Sequence, residues 1–511
     1  MGVFSRRFNL QLAAKGAARP ILIAAILSVV LTQALWAGDY WLRSIHGTTF
    51  GAPNPAGDPV LSPAINNLGD ILWAGQTQGG PCIYLNGPEH NLAALAANAD
   101  TLVDSQLARS AANTDNAVWN ASTGEIDALT KTAAPGSGYQ EDRVYLYDES
   151  LGSAPRLIGV TRFGVAFSTL TSPDVNDAGQ AVFRRLHFPT TTFALPFHDG
   201  SGAVSGTREV LTGYNSINTT FINNVGVAAF VGRARASDPL SLHLYDGNSG
   251  DLVIRPVTLA NLTLRDFSDD GTGLAFAGAS ANGTMYAVES GGTAVPLFTA
   301  RTQGLARVEL GQRNRFGQVA FANRTVLASG GSIPAAGQSD VMVFADGGIE
   351  RVTDHPAGTA VSAANLNDED EIVYVTTRFL YDANGAYTGL REFQLTKATP
   401  FPENLAWQLY QETGNVTIPQ PDRRILLKDL ENLLDKLLRA RVLVDSGVDG
   451  ASHGSRGRYN AGTQELRQFD RRLAMLAQSG EVGAGVADRL ALLSVRVQRQ
   501  IANIAEEIGG E

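Results

Sequence analysis

The residues best placed to do chemistry are few. Asp266, Ser268 and Asp270, followed by Gly271, alternate oxygen donors as the start of a calcium loop does. A complete EF-hand loop needs a glutamate at its twelfth position, and Ala277 stands there. Gly450-Ala451-Ser452-His453-Gly454 has the Gly-x-Ser-x-Gly spacing of a nucleophile elbow. It lies among Gly, Ser and Asn residues between apolar periodic stretches, where the strand-to-helix turn that an elbow needs is not expected. The seven histidines (46, 90, 187, 198, 243, 355 and 453) are scattered, and none falls in a His-Glu-x-x-His pattern. No glycine-rich phosphate loop ends in Lys-Ser or Lys-Thr. Cys82, the single cysteine, cannot form an intramolecular disulfide, and in Pro81-Cys82-Ile83-Tyr84-Leu85 it reads as a small hydrophobe. From these residues we assign no catalytic, cofactor-binding or metal-binding residue and expect no cofactor.

The elements that would position any site come from a repeat. An Asn, two variable residues and a Gly precede a short apolar strand that ends in an aromatic residue. The unit is seen at Asn66 to Trp73, Asn176 to Phe183, Asn223 to Phe230 and Asn314 to Phe321. Ser268 to Phe276 is a variant, and the units at Asn113 and Asn367 are degenerate. The first positions are separated by 47, 63, 47, 45, 46 and 53 residues. A period near 46 suits a four-stranded propeller blade. The largest spacing coincides with the breaker-rich Ala133 to Gly138. Asn at the head of each turn can bond its own backbone, and Gly supplies a left-handed residue, so these polar residues have a structural role without any ligand. Downstream strands end in Asp-Gly turns at Asp246-Gly247 and Asp346-Gly347. The expected fold is therefore all-β, a seven-bladed β-propeller over residues 38–398. Tyr40 to Ile45 are expected to supply the last strand and close the ring.

The repeats resemble a group of bacterial exported proteins defined by tandem Asn-x-x-Gly-x-x-Ala-Phe units. Asn314 to Phe321 and Asn223 to Phe230 match at every fixed position, whereas Asn176 to Phe183 has Val182 in place of Ala. The resemblance covers roughly residues 60–395, implies a secreted or cell-surface repeat protein, and brings no catalytic residues with it. Five lysines against 35 arginines fit a bacterium with a GC-rich genome.

Residues 1–37 have the grammar of a signal peptide: Arg6, Arg7, Lys15 and Arg19, then an apolar run from Ile21 to Leu35, then Ala37. The run is shorter than the roughly 20 residues of a comfortable membrane span, so cleavage and a periplasmic or extracellular location are expected. Ser5-Arg6-Arg7-Phe8 resembles a twin-arginine signal, but Asn9 stands where that signal usually carries a large apolar residue. At the other end, 399–421 read as a proline-bearing linker, and 422–511 as a three-helix bundle. Its stripes are Leu426 to Leu437, Leu466 to Leu476 and Val486 to Ile508, with a loop from Ser446 to Asn460.

The net charge is −10. Residues 421–511 hold 14 basic and 13 acidic residues, and 1–37 hold four basic and none acidic, so the middle of the chain carries −15. Nucleic acid, which demands a basic surface, is excluded as a general partner. The reading is a non-catalytic binding or scaffold protein for a protein or carbohydrate ligand at the cell surface, with no stable membrane span after signal cleavage. Its binding loops are expected between residues 121 and 170. The competing reading is an extracytoplasmic hydrolase or lyase acting on an extracellular polymer, with ionisable groups converging in the propeller funnel.

Overall fold

A computed structural model describes residues 40–50, 60–85, 101–107, 116–123, 141–148, 155–257, 262–324, 339–446 and 451–509, apart from short gaps within these stretches. The signal-peptide segment and the Ala133 to Gly138 loop lie outside the described residues. Where an Asn-x-x-Gly unit is intact, it makes the turn between the first two strands of a sheet. In the fourth sheet, Asn223 N–H donates to the Val227 carbonyl (3.1 Å) and Gly226 N–H to the Asn223 carbonyl (3.1 Å). Gly226 sits at φ +85°, a conformation that costs glycine nothing.

Among the described residues the strands form seven antiparallel sheets. Six have four strands. Sheet 2 comprises Thr101–Leu107, Asn116–Thr123, Glu141–Asp148 and Arg156–Arg162, and sheet 3 Ser168–Val175, Ala181–His187, Thr192–His198 and Thr207–Tyr214. Sheet 4 comprises Ser216–Ile222, Val227–Arg233, Ser241–Asp246 and Leu252–Pro256, and sheet 5 Leu262–Phe267, Gly273–Ala277, Thr284–Val288 and Ala294–Thr299. Sheet 6 comprises Val308–Arg313, Val319–Arg324, Ser339–Ala345 and Gly348–Arg351, and sheet 7 Thr359–Leu366, Ile372–Tyr381 and Tyr387–Pro400 with Tyr40–Phe50 at its edge. Sheet 1 has three strands, Val60–Ile65, Ile71–Thr77 and Gly80–Leu85.

The first strands of successive sheets are neighbours, and sheet 7 returns to sheet 1, which makes a β-propeller. The expectation of seven four-stranded blades is corrected to six complete blades among the described residues. Among the described residues sheet 1 ends at Leu85 after three strands, and residues 86–100 lie outside the described residues. Closure occurs as expected: Tyr40–Phe50 pairs antiparallel with Tyr387–Pro400, from Tyr40 opposite Pro400 to Phe50 opposite Arg391.

The core lies between sheets. Trp73, Phe183, Phe230, Phe321 and Tyr374, the aromatic ends of five repeats, are all fully buried. Phe321 packs with Phe298 of the preceding sheet, their centroids 5.4 Å apart, and Phe183 joins Val144 and Ile158.

The C-terminal region has four helices among the described residues, not three: α1 (Glu403–Asn415), α2 (Gln420–Ser446), α3 (Ala451–Ser479) and α4 (Ala484–Gly509). The expected linker contains α1. Its prolines mark helix starts, Pro402 at the N-cap of α1 and Pro421 in the first turn of α2, where a missing N–H costs nothing. The expected loop to Asn460 is also mostly helix. In α3, Gly462 lies against Leu433 and Leu437, while Ser455 and Tyr459 are fully buried, so packing overrides the low helix propensity of that stretch. The predicted apolar stripes meet in one core that includes Leu430, Leu437, Phe469, Leu490 and Ile501.

Candidate functional site at the seam between propeller and helices

The repeat turns are tied to one another. Asn176 Nδ2 donates to the Asn223 carbonyl (3.0 Å), Asn223 Nδ2 to the Ser268 carbonyl (3.2 Å), and Asn314 Nδ2 to the Asn367 carbonyl (3.4 Å). Asn367 Nδ2 then reaches the Asn66 carbonyl (2.9 Å), joining sheet 7 to sheet 1. Each asparagine also holds its own turn through Oδ1, which in Asn223 accepts from Val227 N–H (2.9 Å). The second turn residues repeat the device: Asn224 Oδ1 accepts from Asp177 N–H (3.0 Å) and Asn67 Oδ1 from Asp368 N–H (2.8 Å). The polar residues of the motif are therefore engaged in joining blades.

One turn departs from the pattern. In sheet 7 the sequence is Asn367-Asp368-Glu369-Asp370-Glu371, and Asp370 occupies the glycine position at φ +63°. An L-residue there costs about 1 kcal/mol or more. The side chain that the strain admits is used by α4. Arg496 donates through Nη2 to Asp370 Oδ2 (2.7 Å) and Oδ1 (2.9 Å), and its guanidinium lies over the Phe316 ring at 3.7 Å. Gln500 Nε2 adds a bond to Asp370 Oδ2 (3.2 Å), and Asn314 Nδ2 one to Oδ1 (3.2 Å). Arg499 pairs with Glu369, and Asn503 Nδ2 donates to Glu371 Oε1 (3.1 Å), which Lys397 also approaches at 2.9 Å. Residues 496, 499, 500 and 503 recur at helical spacing, so one face of α4 reads one turn of the propeller.

Burial outweighs these partners at Asp370. Desolvation pushes its carboxyl up to about 6, against the pull of Arg496 and with a further push from Glu369. A raised carboxyl contributes stability that is complete below its unfolded pKa near 4 and is lost as pH rises through about 6. Asp370→Asn therefore gains on the natural protein as pH goes from 4 to 7, by up to about 3 kcal/mol. Parallel denaturant titrations at the two pH values measure this, and the difference between the proteins cancels the titration of all other groups.

Beside Asp370 is a cavity of about 230 Å³, walled by sheets 6 and 7, α1 and α4. Gln318, Glu350, Asn404, Gln408 and Gln500 line it together with Tyr40 and Phe401.

The candidates read from sequence lie elsewhere. Asp266, Ser268 and Asp270 do come together, but around Arg313: its Nη2 donates to Ser268 Oγ (2.5 Å) and Thr272 Oγ1 (2.6 Å), and its main-chain N–H faces Asp266, donating to Oδ2 (3.0 Å). Ser452 and His453 fall in the first turn of α3. His243 stacks on Phe230 (centroids 4.7 Å apart) inside the propeller, and burial lowers it to about 4. The side chain of Cys82 and residues 124–140 of the expected binding region lie outside the described residues. Among the described residues no three His, Cys, Asp or Glu side chains group as metal ligands, and no helix is long and apolar enough to cross a membrane. The seam was missed because the turn at Asn367 reads as a degenerate repeat. Its signal was the acidic run in place of Gly, together with the polar spacing on the last helix.

No family model matches the sequence, and no curated protein matches it. Solved structures do. An oligogalacturonate lyase from Vibrio parahaemolyticus is similar at 10% identity and TM-score 0.39, over 72% of this chain and 99% of that one. A prolyl endopeptidase is similar at 13% identity and TM-score 0.43, over 68% and 50%. The β-propeller domain of the Trilobed protease from Pyrococcus furiosus is similar at 11% identity and TM-score 0.35, over 54% and 78%. The propeller assignment rests on the strand order above.

Proposed function

We propose that this chain is an exported, non-catalytic binding and scaffold protein of the kind defined by tandem Asn-x-x-Gly-x-x-Ala-Phe repeats. The ring holds its loops rigid for a protein or carbohydrate ligand at the cell surface, and the helices serve assembly. The observation that carries this reading is the fate of the repeated polar side chains. Donors and acceptors that might have served chemistry are bonded to the next blade, as in Asn176 to Asn223 and Asn367 to Asn66. The signal-like N-terminal sequence and the low charged fraction of 18% are consistent with export.

The test incubates the purified protein, from residue 38 onward, with insoluble extracellular polysaccharides and with peptidoglycan. Retention on the polymer and release of soluble product are measured together. Retention without product is expected. Product release that scales with protein concentration and survives repurification makes the chain a hydrolase or lyase and overturns the proposal.

A further inference from the structure

We propose that the cavity between the propeller and the helices is a binding site for one neutral sugar unit. Its walls combine the two surfaces such a unit needs. Asn404 and Gln408 bring two carboxamides, each with a donor and an acceptor for hydroxyl groups, Gln318 brings an amide whose oxygen already accepts from Asn314, and Glu350 brings a carboxylate acceptor. Tyr40, Phe401 and Val343 supply apolar surface for the C–H face of a ring. The volume of about 230 Å³ holds several waters, each occupying about 30 Å³ in the liquid, and so admits a compact polar molecule.

The second observation is a buried polar atom that nothing among the described residues satisfies. Gln500 is 2% exposed, its Nε2 is held by Asp370, and its Oε1 has no hydrogen-bond partner among the described residues. Arg496, 6% exposed and on the same wall, has an Nε with none either. Neither atom has surface open to the cavity, so each costs about 1–3 kcal/mol as it stands, and a guest meets the Gln500 carboxamide only when that side chain turns toward the space. Charge narrows the guest further. Two carboxylates face one guanidinium, so a neutral sugar is favoured over a uronic acid. Asn404 and Gln408 lie one turn apart on the exposed face of α1, at the mouth, so a sugar at the end of a longer glycan has a way in.

The inference rests on reading the chain as a binder, and its test separates the two. Methyl glycosides of glucose, galactose and mannose, and galacturonate as the charged comparison, are presented to the protein at millimolar concentration. Binding is followed by saturation-transfer NMR and calorimetry. A neutral glycoside is expected to bind more tightly than galacturonate. The double variant Asn404→Ala/Gln408→Ala, altered only at exposed helix positions, should melt as the natural protein does and bind about tenfold more weakly. Gln500→Leu should weaken binding by a similar factor. Failure of every neutral glycoside to bind, which would leave water as the guest, overturns the site. So does binding that both variants leave unchanged. Polymer retention that survives both variants keeps the binder reading and removes this site. A glycoside that is bound here and then cleaved keeps the site and removes the non-catalytic reading.

Discussion

Arg496→Ala is expected to destabilise the protein by about 3–5 kcal/mol, the cost of leaving a buried carboxylate without its partner. Asp370 loses two hydrogen bonds from the guanidinium, and Phe316 loses the cation above its ring. Gln500 and Asn314 alone then face a charge that burial already disfavours. The relief available is to lift α4 from the turn. Hydrogen exchange should therefore rise in residues 367–371 and along α4, while sheets 3 to 5 keep their protection. Arg496→Lys keeps the charge but not the fork of two bonds, and should fall between the alanine variant and the natural protein. The double variant Asp370→Gly/Arg496→Met is expected to recover most of the loss. It removes both charges and returns glycine to a position where the intact repeats use it at φ +71° to +85°. Denaturant unfolding measures all four proteins. A cost under about 1 kcal/mol for Arg496→Ala would mean that water, not protein, surrounds the pair.

Asn367→Ala is the second large effect, at about 3 kcal/mol from several lost bonds to buried groups. Asn367 Oδ1 accepts from Glu369 N–H (3.0 Å) and Glu371 N–H (2.9 Å), and Nδ2 donates to the Asn66 carbonyl (2.9 Å) and Glu371 Oε2 (2.9 Å). Alanine leaves two buried N–H groups unanswered and leaves the Asn66 carbonyl with the Gly69 N–H alone. Asn367→Asp keeps the acceptor, yet sets a carboxylate against Glu371 where a donor stood. It should cost at least as much as alanine at neutral pH. Unfolding midpoints, with limited proteolysis between sheets 7 and 1, report the result. Proteolysis unchanged from the natural protein would show that the Asn66 bond does not hold the ring shut.

What could be read from the sequence was local. An Asn and a Gly three residues apart announce a turn wherever they occur, and the aromatic that follows announces a buried strand. Tyr40 to Ile45 stood out because a strand with no partner nearby must find one far away. The prolines misled for a physical reason: the same residue ends one element and begins the next, and only Pro402 and Pro421 in place show which. Gly454 and Gly457 argued for a loop, but the burial of Ser455 and Tyr459 carries the helix through them. The seam at Asp370 showed only as an acidic run in one turn and a polar row on the last helix, and nothing local joins the two, because Arg496 is 126 residues away. The bond from Asn367 to Asn66 spans 301 residues. Each of these side chains looks ordinary until the ring brings it round.

The first described strand and the strand that leads into the helices pair in sheet 7, and this sets how the molecule would respond to being pulled. The N-terminal strand leaves at Tyr40, directly opposite Pro400, where the chain departs toward α1. Tension between an anchored N-terminus and a load on the helices would meet this pair first and part it rung by rung, from Tyr40–Pro400 toward Phe50–Arg391. Hydrogen bonds loaded one at a time yield at far lower force than bonds sheared together. The first casualty would be the strand Tyr387–Pro400, stripped of its outer neighbour and offering its free edge to any extended segment nearby. Sheets 2 to 6 would carry none of that load. The clasp that closes the ring is thus also its mechanical fuse.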